Sequence, residues 1–156
     1  MGKTTKISYA DSTISPLVGC DGCELLDLTR GIKLCYAHAL VTRYAGVRGW
    51  PKDFFQPEFF PGRLEQAIRW KDLTDTDRPD KPWLNGYPRI VFLGDLADIF
   101  AKNAPDPREW LVPMIPRMAE KHIWLFLTKR PRRMAQFFEQ VGYVPRNFWL
   151  GTTITS

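Results

Sequence analysis

The second half of the chain sets short apolar runs between amphipathic stretches. "RIVFL" (89–93), "HIWLFL" (122–127) and "NFWLG" (147–151) lack polar alternation, the pattern of strands buried on both faces of a parallel sheet. Between the first two, "DPREWLVPMIPRMAEKH" opens on Asp106 and Pro107, a helix start. Pro113 and Pro116 predict that this helix kinks or splits, because an interior proline lacks the amide and clashes with the preceding turn. Between the last two runs, Met134, Phe137, Phe138 and Val141 mark one helical face, with Pro131 suited to its first turn. Strand, helix, strand, helix, strand predicts the α/β class, with parallel βα units joined by right-handed crossovers.

The first half is less regular. Residues 7–18 predict a short first strand from a weak pattern, "ISYADSTISPLV". Ala37, Leu40, Val41 and Tyr44 follow helical spacing, which Gly46 and Gly49 should end. Leu64, Ala67 and Ile68 predict a second helix, with Phe60 one turn earlier if Pro61 and Gly62 permit. Residues 71–88 read as a polar, proline-bearing loop. No repeat or low-complexity tract interrupts the chain, and 156 residues fit one domain over 1–156.

Composition narrows the function classes. No apolar run is long enough for a membrane span. "MGKTTKISYADSTIS" lacks the apolar centre of a secretory signal, so a cytoplasmic location is expected. There the three cysteines, an odd number, should stay reduced. A net charge of +5 is compatible with an anionic partner. No glycine-rich Walker loop and no Gly-x-Ser-x-Gly elbow appears. Asp95 and Asp98 lack a nearby ligand set for a hydrolase, and His122 stands at a strand entrance as a structural residue.

Polar residues follow each of the three apolar runs: Asp95 and Asp98, then Thr128, Lys129 and Arg130, then Thr152 and Thr153. Any strand must leave into a polar loop, but α/β sheets bind ligands at these carboxyl ends. Three such ends point to a site there.

Every cysteine of the chain lies in "VGCDGCELLDLTRGIKLCYAHAL" (18–40), as Cys20, Cys23 and Cys35, with His38 three residues beyond the last. On a helix, positions 35 and 38 lie about 60° apart, so both can face one object. Three readings stand side by side. The thiols are small, partly buried fillers; or Cys20, Cys23, Cys35 and His38 close a tetrahedral zinc site; or three thiolates hold an iron–sulfur cluster with one iron open. Spacing alone favours zinc.

Lys129, Arg130, Arg132 and Arg133 crowd the predicted start of a helix. Cations at that end oppose the helix dipole. Apart from a merely solvated helix start, the arrangement fits a phosphate site, hence a nucleic acid or nucleotide bound in a salt-sensitive way. Phe148, Trp149 and Trp124 are available for stacking, although their buried strands favour core packing.

Together, "GC…CYA", "RIVFLGDLADIF", "LFLTKRPRRM" and "FWLGTTITS" resemble a phage-borne family of three-cysteine proteins of unknown function, related to the radical S-adenosylmethionine (SAM) enzymes. The resemblance covers most of the chain. It implies that Cys20, Cys23 and Cys35 ligate a [4Fe–4S] cluster whose open iron chelates SAM. Reductive cleavage would then give a 5′-deoxyadenosyl radical that abstracts hydrogen from a substrate, and the basic stretch makes nucleic acid or a nucleotide the expected class. Gly94 and Asp95 would meet the SAM amino group, and Thr128, Lys129 and Arg130 its carboxylate or an anionic substrate. The spacing here, Cys-x2-Cys-x11-Cys, departs from the Cys-x3-Cys-x2-Cys usual in radical SAM enzymes. The implied fold is the N-terminal part of a partial (β/α) barrel, with a cysteine loop at 18–40 and βα units at 89–156. A full barrel takes ~250 residues, so a protein partner or further chain completing it is expected.

Overall fold

The computed structural model describes residues 2–154. Four parallel strands form its central sheet in the order β1 (Ser12–Ile14), β6 (Ile90–Leu93), β7 (Ile123–Thr128) and β8 (Phe148–Thr152). Register pairs Ile14 with Leu93, Leu93 with Phe126, and Phe126 with Leu150, so the strands end nearly level. The protein is therefore a mixed α/β domain with a parallel sheet flanked by helices.

The predicted helices form for the reasons read from the sequence. After β6, α3 (Pro107–Trp110) starts on Asp106, whose side chain accepts from the Arg108 amide. A 3-10 turn at Val112–Met114 then leads to α4 (Ile115–Ala119), so the two prolines do split this crossover. After β7, α5 (Pro131–Val141) carries Pro131 in its first turn and stops at Gly142 in the left-handed region. In the first half, α1 (Tyr36–Arg43) and α2 (Pro61–Ile68) appear where the spacing put them.

One face of the sheet takes the helices. Val91, Leu93, Trp124, Phe126 and Phe148 pack with Leu64 and Ile68 of α2, Trp110 of α3, Ile115 and Met118 of α4, and Phe137 and Phe138 of α5. The opposite face, with Ile90, Phe92, Ile123 and Leu125, meets Ile7, Tyr9 and Ala10 ahead of β1 and Leu84 of a 3-10 turn at Pro82–Leu84. A third cluster caps the carboxyl edge: Val41 of α1 with Val18, Leu26, Phe54 and Leu96.

Three expectations need correction. The weak first strand is two pieces, β1 and then β2 (Leu17–Val18), which turns away to pair with β5 (Glu58–Phe59). The cysteine loop contains an antiparallel pair, β3 (Leu26–Asp27) and β4 (Ile32–Lys33), too short to show a pattern. The third apolar run is not buried on both faces: β8 is an edge strand, with Trp149 40% and Leu150 37% exposed. Trp149 instead meets Tyr87 edge-on at 5.7 Å between ring centroids, outside the main core.

Candidate metal centre at the carboxyl edge of the sheet

Several of the polar strand ends meet at one cavity, while Thr128, buried, and Thr152 stay out of its lining. A cavity of about 190 Å³ opens at the carboxyl edge, and Cys20, Cys23 and Cys35 all line it. Its other walls include Gly94, Asp95 and Asp98 after β6, Lys129 and Arg130 after β7, and Thr153 after β8. A second cavity, about 560 Å³, shares Phe92 and Asp95 with the first and adds Tyr36, Thr13 and Lys6.

Main-chain contacts fix the first cysteine. The Gly19 amide donates to Leu96 O at 3.1 Å, and the Cys20 amide to Phe54 O at 2.8 Å. Gly19 is required here: its φ is 106°, and a Cβ would lie 2.6 Å from Phe54 O. Burial pushes the Cys20 thiol up to about 11, against backbone amides of Asp98 and Gly22 that favour the thiolate. The neighbouring Asp21 carboxylate raises it further and accepts from the thiol at 3.4 Å. Cys35 is the N-cap of α1, its sulfur accepting from the His38 amide at 3.4 Å.

That cap overturns the helical geometry expected for positions 35 and 38. Cys35 precedes the helix in an extended conformation, and the His38 ring packs edge-on to Phe54 at 5.3 Å and beside Phe55 at 6.1 Å. Among the described residues, His38 does not line the thiol cavity, and no three His, Cys, Asp or Glu side chains converge to hold a single metal ion.

The cations of "LTKRPRRM" are drawn inward. Arg130 Nη2 donates to Asp21 Oδ1 at 2.8 Å and to Gly22 O at 2.6 Å, inside the turn joining Cys20 to Cys23. Lys129 Nζ pairs with Glu24 at 2.5 Å, on the same turn. Asp98 accepts from Thr128 Oγ1 at 2.7 Å, from the Lys129 amide at 2.9 Å and from the Phe100 amide at 3.0 Å. Arg133 donates to the carbonyls of Phe100 and Ala101. Negative charge for Lys129 and Arg130 is thus supplied within the chain, while Arg132 and Arg133 stay exposed.

Asp95 sits on the turn after β6, where Gly94 adopts φ 92° and a Cβ would come within 3.2 Å of Ala97 O and of the Ile99 side chain. The buried Ser15 hydroxyl, at the end of β1, donates to Asp95 Oδ1 at 2.5 Å and accepts from the Leu96 amide at 2.9 Å. Arg63 donates to Ser15 O at 2.9 Å, and its guanidinium stacks over Phe60 at 4.1 Å. Sequence reasoning missed Ser15, Arg63 and Asp21. Asp21 lies between the close cysteines and was visible there; Ser15 and Arg63 carry no motif.

A family model described as "Protein of unknown function (DUF5131)" matches residues 4–156. The chain belongs to this family. No curated protein and no solved structure matches it. For a DUF5131 protein the structure offers a definite donor set: three free, half-buried thiols on the wall of one cavity. Thiolates suit zinc and iron–sulfur centres. Among the described residues these donors share a cavity without converging on one point.

Proposed function

We propose that this chain is a radical-SAM-like iron–sulfur protein, with Cys20, Cys23 and Cys35 holding a [4Fe–4S] cluster at the carboxyl edge of a partial (β/α) barrel. The observation that carries the reading is the convergence of all three thiols on one cavity beside the ends of β6 and β7. Held by these residues, such a cluster would pass one electron from an external reductant to SAM, splitting it into methionine and a 5′-deoxyadenosyl radical.

The chain's own residues prepare the place. Arg130 and Lys129 tie the Cys20–Cys23 turn to the end of β7. Asp98 in turn holds Thr128 and the Lys129 amide, so turn and sheet form one hydrogen-bonded unit. Asp95, oriented by Ser15, offers a fixed carboxylate at the boundary of the two cavities, suited to the ammonium group of SAM. Leu127, Phe54 and Ala97 supply apolar wall that limits water.

The barrel reading rests on the one-sided helices. A doubly wound sheet carries helices on both faces, whereas strands of a (β/α) barrel turn one face inward, away from the helices. Here α2 to α5 contribute to a single cluster on one face, and among the described residues no α-helix contributes to the cluster on the other, which takes Leu84 from a short 3-10 turn.

The test is anaerobic reconstitution with iron, sulfide and reductant, then addition of SAM. A SAM-dependent change in the paramagnetic resonance of the reduced protein is expected. Protein that takes up no sulfide, or whose signal ignores SAM, overturns the reading.

A further inference from the structure

The net charge of the molecule has one main source. Between Leu28 and Lys52 lie five basic residues and no acidic one, which leaves 17 basic against 17 acidic residues in the remainder. These five, Arg30, Lys33, Arg43, Arg48 and Lys52, are all exposed. Arg30 approaches Asp27 at 3.5 Å across open solvent, a weak pairing. Among the described residues the other four have no carboxylate partner, in contrast to the inward-paired Lys129 and Arg130. Most of the excess positive charge therefore belongs to the lobe made by the β3–β4 pair, α1 and the loop after it, where these five cations stand against Asp27 alone.

Aromatic rings are interleaved with these cations. Tyr36 is 62% and Tyr44 36% exposed, and Tyr44 lies 4.9 Å from Trp50 with the Arg43 guanidinium over its ring. Tyr36 and Arg43, seven residues apart on α1, occupy one stripe of the helix. Tyr36 also lines the larger cavity beside Asp95, so the stripe leads outward from the cavity mouth. Exposed cations without carboxylate partners, with exposed rings among them, match single-stranded nucleic acid, whose charge tracks the cations while bases stack on the rings.

We infer that this lobe, and not the Lys129–Arg133 stretch, grips a single-stranded nucleic acid and leads it to the cavity. The link to the cavity rests on the function proposed above; the grip itself does not need the cluster.

The test is fluorescence anisotropy of the full chain, with and without reconstituted cluster, using a labelled oligothymidine of about 15 nucleotides. Both forms should bind, with affinity falling roughly 100-fold between about 50 and 200 mM salt for four to five phosphate contacts. The double variant Arg43→Glu, Arg48→Glu should lose most of the affinity and flatten the salt slope by about 1.4. Arg69→Glu with Arg146→Glu makes the same charge change on exposed positions outside the lobe and should leave most of the affinity. Tyr36→Ala should weaken binding about tenfold with the salt slope unchanged.

Absence of binding at low salt overturns the inference, as does an equal loss in both double variants. Binding to phosphatidylserine vesicles but not to the oligonucleotide would assign the lobe to a membrane surface and overturn it too. Oligonucleotide binding by a protein that never takes up a cluster would leave the grip standing and sink only the function proposed above.

Discussion

At the scale of single residues, two titrating groups carry checkable consequences. His122 is buried at the entrance to β7 with φ 65°, its Nε2 against Ala67 O at 3.1 Å. Burial, then the Lys121 charge, lowers its pKa to about 4; Arg89 adds to this, while the Ala67 bond and Asp72 oppose it. A depressed histidine leaves stability intact above its unfolded pKa of about 6.5 and removes it as pH falls towards 4, by ~3 kcal/mol. His122→Asn, which tolerates positive φ, should flatten the stability profile over that window in urea titrations; an unchanged profile would place the acid sensitivity elsewhere. For Cys20 the sign is reversed. Its thiol, raised to about 11 by burial, should resist alkylation at neutral pH in the metal-free protein. Asp21→Asn removes a charge that raises it further and should move the alkylation midpoint down, as followed by mass spectrometry.

At the scale of elements, α5 and β8 separate core from edge. Phe138 is buried against Phe137, Phe126 and Phe148. Phe138→Ala should therefore cost about 3–5 kcal/mol in urea unfolding. Trp149→Ala, on the open edge strand, should cost well under that, and similar losses would mean that β8 is covered after all. This is also where sequence reading succeeds and fails. Helix faces such as Met134, Phe137 and Phe138, the capping Asp106, and the paired prolines 113 and 116 act through local chemistry and were legible. The edge position of β8 was not, because an apolar run reads alike whether its second face meets core or solvent. The β3–β4 pair was invisible for another reason: two residues per strand hold no period.

The candidate site was legible in part for the same physical reasons. That Asp95, Lys129, Arg130 and Thr153 meet follows from parallel strands ending nearly level, and unbroken apolar runs joined by crossovers predict such strands. Which groups neutralise the cations depends on the path of the cysteine loop, and that path is set by Phe54, Leu96 and Gly22 contacts distant in sequence. Asp98 ties the two together. Asp98→Ala should cost about 3 kcal/mol through its bonds to Thr128, Lys129 and Phe100. It should also loosen the Cys20–Cys23 turn, seen as faster amide exchange there.

At the scale of the whole molecule, the sheet, the cysteine loop and the basic lobe form a layered device. Helices pack on one face of the sheet, the strand ends open into the thiol cavity, and the lobe holding most of the excess charge caps that edge. No helix among the described residues is long and apolar enough to cross a membrane. The central claim is that three thiols hold a polynuclear centre without help from His38. Iron and acid-labile sulfide per chain, measured after anaerobic reconstitution of the parent and of Cys20→Ser, Cys23→Ser, Cys35→Ser and His38→Ala, test it directly. The account predicts about four irons with matching sulfide in the parent and in His38→Ala, and loss in each cysteine variant. One zinc without sulfide, or a centre that vanishes with His38, would contradict it.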